Sequence, residues 1–139
     1  MHGTDVVYSS VYTQRVREKL LALAAPQKKA AQSKAEREAE IRRIYGGIAG
    51  SVIALQDKTG WYDEDRFDVY SEKWEEIRAV LAEAPDEKEM LGYIASIGLD
   101  AAEFDALYGE AKIADALVFA KDLKDRYSVL WMYYDLMVS

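Results

Sequence analysis

Residues 109–139 read GEAKIADALVFAKDLKDRYSVLWMYYDLMVS. Ile113, Leu117, Ala120 and Leu123 step by three or four residues and so form one stripe on a helix. A second apolar set, Val129, Leu130, Tyr133, Tyr134 and Met137, follows the polar joint Asp125-Arg126-Tyr127-Ser128. The Ser128 hydroxyl can accept from backbone N–H groups two or three residues on, which suits the start of a second helix. A segment this apolar has to pack, and the rest of the chain has to offer helices for it to pack on.

Upstream, the pattern is helical throughout. From Asp5 to Ala25, Val6, Val7, Val11, Val16, Leu20 and Leu23 keep a loose helical period. The start, Val6-Val7-Tyr8, also suits a strand, but no partner strand occurs later, so the reading is helix. Pro26 ends it or starts the next. Residues 27–45 are rich in Ala, Lys, Glu and Arg and predict a second helix, apolar only near Ile41, Ile44 and Tyr45. Gly46-Gly47 breaks it, a helix from Ile48 to Asp57 follows, and Lys58-Thr59-Gly60 turns. Phe67, Tyr70, Trp74, Ile77, Val80 and Leu81 make one stripe over Trp61 to Ala84. Asp86 with Glu89, and Asp100 with Glu103, read as capping pairs for the next two helices, and Gly109 separates the last of these from the terminal segment. The expectation is an all-α multi-helix bundle of six to eight helices, with residues 1–139 as one helical domain.

Composition narrows the function classes. With 139 residues, half of them apolar or aromatic, the chain can bury roughly two-thirds of its unfolded surface. Its 18 basic and 25 acidic residues give a net charge of −7, which disfavours nucleic acid and anionic membranes as partners. No Cys is present, so disulfides, thiolate metal sites and Cys nucleophiles are excluded. This fits a reducing compartment, and the expected location is cytoplasmic. No window approaches the ~18 uninterrupted apolar residues of a membrane span.

Few residues suggest chemistry. His2 is the one histidine; it is a possible metal ligand, but a catalytic zinc takes about three protein ligands. Asp63, Glu64, Asp65 and Asp68 lack the alternation and central Gly of a calcium loop and read as a solvated helix start. Tyr45 to Ser51, YGGIAGS, lacks the lysine and preceding strand of a phosphate loop and reads as a helix break. Tyr127, Trp131, Tyr133 and Tyr134 read as core aromatics, and Arg126 as the anchor of a helix junction. With its one His at residue 2, the chain supports no Ser/His/Asp arrangement, and no catalytic or cofactor-binding residue stands out.

The stretch Asp115 to Leu130, DALVFAKDLKDRYSVL, resembles the end of sn-glycerol-1-phosphate dehydrogenases, members of the dehydroquinate-synthase-like and iron-containing alcohol dehydrogenase group. Tyr134-Asp135-Leu136 is similar to the YDL of their last helix. Trp74 to Arg78 followed by Pro85, and Glu38 to Gly46, look like further segments of that family. His2-Gly3 with Val6 resembles its HGExVG element, with Thr4 and Val7 in place of Glu and Gly. The likeness covers nearly the whole chain, more weakly over residues 10–35 and 47–65.

The resemblance implies a C-terminal helical half of a two-domain enzyme whose cofactor-binding half is absent here. In that family the His at the position of His2 is a metal ligand. It also implies a divalent metal (zinc, or iron or nickel), NAD(P), and dihydroxyacetone phosphate or glycerol 1-phosphate as substrate. The expected partner is the missing cofactor-binding domain or a like subunit, and the chain alone is expected to be inactive and to hold neither cofactor stably. Two alternatives stand beside this reading. One is a stand-alone helical interaction or regulatory module without catalysis. The other is a chain that supplies its metal ligand in trans to a separate cofactor-binding subunit.

Overall fold

Helix α1 (His2–Leu21) runs through the centre, and α5 (Trp74–Leu81), α6 (Glu87–Ser96), α7 (Ala101–Phe119) and α8 (Val129–Asp135) all pack on it. Its buried side chains Val11, Val16 and Leu20 explain why: each is at most 1% exposed. The structure, a computed structural model, describes residues 2–85, 87–98 and 100–138, apart from the side chains of residues 2–10, 101, 103 and 104. The described residues form an all-α bundle, completed by α2 (Lys34–Tyr45), α3 (Ala49–Thr59) and α4 (Phe67–Glu72) and by three 3-10 turns. None of these helices is long and apolar enough to cross a membrane.

Two apolar clusters are seen among the described residues. Val16 and Leu20 of α1 meet Tyr70, Trp74, Leu81, Met132 and Leu136 in the larger one. Ile41, Ala49, Val52 and Phe119 make the smaller one, between the α2–α3 pair and the end of α7. Burial of this kind contributes roughly 1.5–3 kcal/mol for each large side chain. Polar ties fix the helices around it. Arg43 on α2 holds Asp115 on α7 through two contacts of 3.0 and 2.8 Å. Arg15 on α1 holds Glu87 at 2.7 Å, and the Glu18 carboxylate takes the Glu87 N–H, which seats the first turn of α6.

Three expectations need correcting. The helix expected over residues 27–45 starts only at Lys34, where the Ser33 Oγ accepts from the Glu36 N–H. Residues 27–29 are instead extended and pair with the end of α8: Lys29 N donates to Asp135 O at 3.0 Å, and Met137 N to Gln27 O at 2.8 Å. Backbone groups engaged in this way cannot also close helical turns. The stripe over Trp61 to Ala84 is split into a 3-10 turn, α4 and α5, because Lys73 takes a non-helical φ of −113° and ψ of 21°. Val80 points outward at 61% exposure, although Tyr70, Trp74 and Leu81 do turn in. The third correction, to the terminal stripe, belongs with the site below.

Other expectations hold. Gly46 has φ of 55° and ends α2, and a 3-10 turn at Gly46–Ile48 leads into α3, so YGGIAGS is a helix junction. Gly109 breaks the helical path inside α7, with φ of 77° and ψ of 158°. Asp100 caps α7 by accepting from Ala102 N, while Glu103, its expected capping mate, has its side chain outside the described residues. Asp86 of the other capping pair also lies outside them.

Candidate functional site

The most unusual chemistry sits where α7 ends. Past Phe119 the helix tightens into the 3-10 turn Ala120–Leu123. Fewer residues per turn advance the phase of the stripe. Leu123, expected to face in, is 43% exposed, while Lys121 and Asp122 turn inward with fully buried side chains. The Lys121 ammonium uses its three protons on Asp122 Oδ2 at 3.1 Å, the Tyr62 hydroxyl at 2.9 Å and Val118 O at 2.7 Å. Around it stand the rings of Tyr134, Trp131, Tyr62 and Phe119, with centroids at 4.2, 4.7, 5.0 and 5.2 Å. Tyr62 in turn donates to Asp122 Oδ1 at 2.5 Å, and Gln56, itself buried, donates to Asp122 O at 2.9 Å.

Burial pushes the Lys121 ammonium down to about 8, with Asp122 opposing the shift. The Tyr62 hydroxyl is pushed up, first by burial and then by Asp122. At neutral pH this is an ammonium–carboxylate pair with no exposed side-chain surface. It is therefore a knot that fixes the 3-10 turn against α3 and α8, and no substrate reaches it.

A second network also borders Trp131. The Arg66 guanidinium grips Asp135 with a fork of 2.8 and 3.1 Å and donates to Trp61 O at 2.8 Å. Tyr70 donates to Asp135 Oδ2 at 2.7 Å, and its hydroxyl also meets that of Tyr127 at 2.8 Å. The Trp131 ring lies against both cations, each 4.7 Å from its centroid.

Beside these networks opens a cavity of about 660 Å³. Its walls are the extended segment at Lys28 to Gln32, the first turns of α2, the turn from Tyr62 to Phe67, and the ends of α7 and α8. Tyr62, Phe67, Phe119 and Tyr134 supply its aromatic surface, and Arg37 stacks over the Tyr62 ring at 3.9 Å.

The residues singled out in the sequence fall as follows. His2 is the first residue of α1, and its side chain lies outside the described residues. Among the described residues no three His, Cys, Asp or Glu side chains converge. With one His and no Cys in the sequence, the described residues do not by themselves make the ligand set of the metal that the resemblance implies. Asp65 takes Lys28 at 2.9 Å and the Phe67 N–H at 3.0 Å, and Glu64 lies 3.6 Å from Arg66, so the acidic cluster is a helix start laced with ion pairs. Trp131 is fully buried and Tyr133 and Tyr134 half-buried, but Tyr127 is 41% exposed. Arg126 is exposed and makes no ion pair among the described residues. Its expected anchoring role belongs to Arg66, which the charge pattern around it hid.

Sequence reasoning also missed Lys121, Asp122 and Arg37. The adjacent Lys-Asp pair has the composition of a solvated face, and only the change of helix pitch buries it. The chain matches no family model, no curated protein and no solved structure.

Proposed function

We propose that the chain is the helical, metal-side part of a cytoplasmic NAD(P)-dependent dehydrogenase of the sn-glycerol-1-phosphate dehydrogenase type. It acts on dihydroxyacetone phosphate or glycerol 1-phosphate only together with a cofactor-binding part. The observation that carries this reading is the likeness of Asp115 to Leu130 and Tyr134-Asp135-Leu136 to that family. An exposed helix rich in Lys and Asp resembles many others through composition alone. Here the polar residues of the matching stretch have specific work: Lys121 and Asp122 are buried, Ser128 caps α8 and Asp135 is gripped by Arg66. The residues that carry the likeness thus sit at working positions of this fold.

Two further observations support it. His2 opens α1, the helix whose later side chains Val11, Val16 and Leu20 are buried in the bundle. Tyr93, Ile97 and Leu107 are 60, 65 and 73% exposed on and just after α6 and on the first half of α7, helices that flank α1. Exposed apolar side chains suit a surface that another domain covers.

The test is a chimaera in which this chain replaces the helical half of a glycerol-1-phosphate dehydrogenase. The expected result is oxidation of NAD(P)H that depends on dihydroxyacetone phosphate and divalent metal and disappears with His2→Ala. A folded chimaera that binds cofactor without turnover, or that is indifferent to His2→Ala, would overturn the reading in favour of a non-catalytic interaction module. Turnover by the chain alone would overturn its dependence on a second part.

A further inference from the structure

We propose that the 660 Å³ cavity binds a small amphipathic monocarboxylate, with its carboxylate on Arg37 and its apolar body on Tyr62, Phe119 and Tyr134. The volume lies within the roughly 300–1,000 Å³ of small-molecule sites. The wall at Lys28 and Lys29 is held in place by its two backbone bonds to the end of α8. The cavity is thus built before any ligand arrives.

The charge pattern selects the ligand. Four cations line the cavity, and two of them are already satisfied: Lys28 by Asp65 and Arg66 by Asp135. Arg37 and Lys29 make no ion pair among the described residues. Arg37 is half-buried, and its guanidinium carbon lies over the Tyr62 ring, 3.9 Å from the centroid. Arg37 also hydrogen-bonds the Tyr134 hydroxyl, which anchors it on the cavity wall, and a guanidinium with five N–H donors keeps others with which to take a carboxylate.

Other ligand classes fit less well. The cavity is also lined by Glu36 and Asp63, which make no ion pair among the described residues and repel a polyanion. A cationic ligand would need open aromatic faces, yet Arg37 and Lys121 already serve Tyr62, and Lys121 serves Tyr134. This assignment stands independently of the proposed dehydrogenase reading.

The experiment is a titration of the whole chain with 3-phenylpropionate, followed by backbone NMR and by tryptophan fluorescence. The expected result is saturable binding with shifts at Arg37, Tyr62 and Phe119, weakened at least tenfold by Arg37→Gln. Arg17→Gln, which removes a half-buried arginine of α1 outside the cavity, should leave it unchanged. 3-Phenylpropanol and phenethylammonium should bind at least tenfold more weakly, and inorganic phosphate alone should not saturate. Equal binding of the alcohol, tight binding of phosphate alone, an unchanged dissociation constant in folded Arg37→Gln, or shifts confined to another surface would each overturn the proposal. The mapping on the unaltered chain keeps the test decisive should Arg37→Gln fail to fold.

Discussion

Asp135 shows how much one side chain holds. It accepts the Arg66 fork and the Tyr70 hydroxyl, and the two partners of the ion pair are only 13% and 18% exposed. Removing one partner of such a pair leaves a charge in a poorly solvated place, at a cost of roughly 3–5 kcal/mol. Asp135→Ala is therefore expected to lose about that much in urea unfolding, because Arg66 is stranded beside Trp131. Arg66→Met combined with Asp135→Leu should recover most of the loss, since neither charge is then buried alone. A double variant as unstable as Asp135→Ala would show that the loss comes from packing. At this scale the sequence revealed the cap at Ser128 and the aromatic core at Trp131. It did not reveal the pair, because a lone Arg amid acids at residues 63–68 looks like ordinary surface charge.

Among the elements, the two halves of α7 meet at Gly109, and glycine is required there for its backbone alone. A Cβ built at Gly109 meets nothing within 4 Å, yet φ of 77° with ψ of 158° lies in a region that L side chains avoid. Gly109→Ala should cost about 1–3 kcal/mol in spite of the empty space. Gly92, inside α6, also has nothing within 4 Å but keeps a helical backbone. Gly92→Ala should therefore stabilise by about 0.5–1 kcal/mol, read as a higher melting temperature. Ser128 accepts from Leu130 N at the start of α8, and Ser128→Ala should cost about 1 kcal/mol, with Ser128→Asp close to neutral. Helix existence was legible because apolar spacing and glycines mark it. Helix ends were legible only where a cap does the work. The extended run before Ser33 has helix-forming composition, and what overrides that propensity is a backbone pairing with α8 more than 100 residues away.

For the molecule as a whole, apolar clusters are joined by polar knots, and the knots make its stability depend on pH. Burial lowers the Lys121 ammonium from 10.5 in the unfolded chain to about 8 in the folded one. The unfolded chain then binds more protons between those values, so stability rises with pH across that window. Below pH 8 the penalty for burying the charged form is present in full; as pH climbs toward 10 it is relieved. From pH 8 to 10 the gain is about 2 kcal/mol. Tyrosines act in the opposite sense. Tyr62, Tyr70, Tyr127 and Tyr134 are all raised, with burial as the first cause, and Tyr45 is pushed up to about 12. The unfolded chain loses these protons with a midpoint near pH 10 while the folded one keeps them, so their combined cost sets in from about pH 9 and stability then falls. Urea unfolding at half-unit steps from pH 7 to 11 should therefore trace a rise, a maximum between about pH 9 and 9.5 and a decline. Lys121→Met with Asp122→Asn should abolish the rise and keep the decline. A wild-type curve that does not rise between pH 8 and 9 would mean that Asp122 and the four rings hold the ammonium as readily as water does.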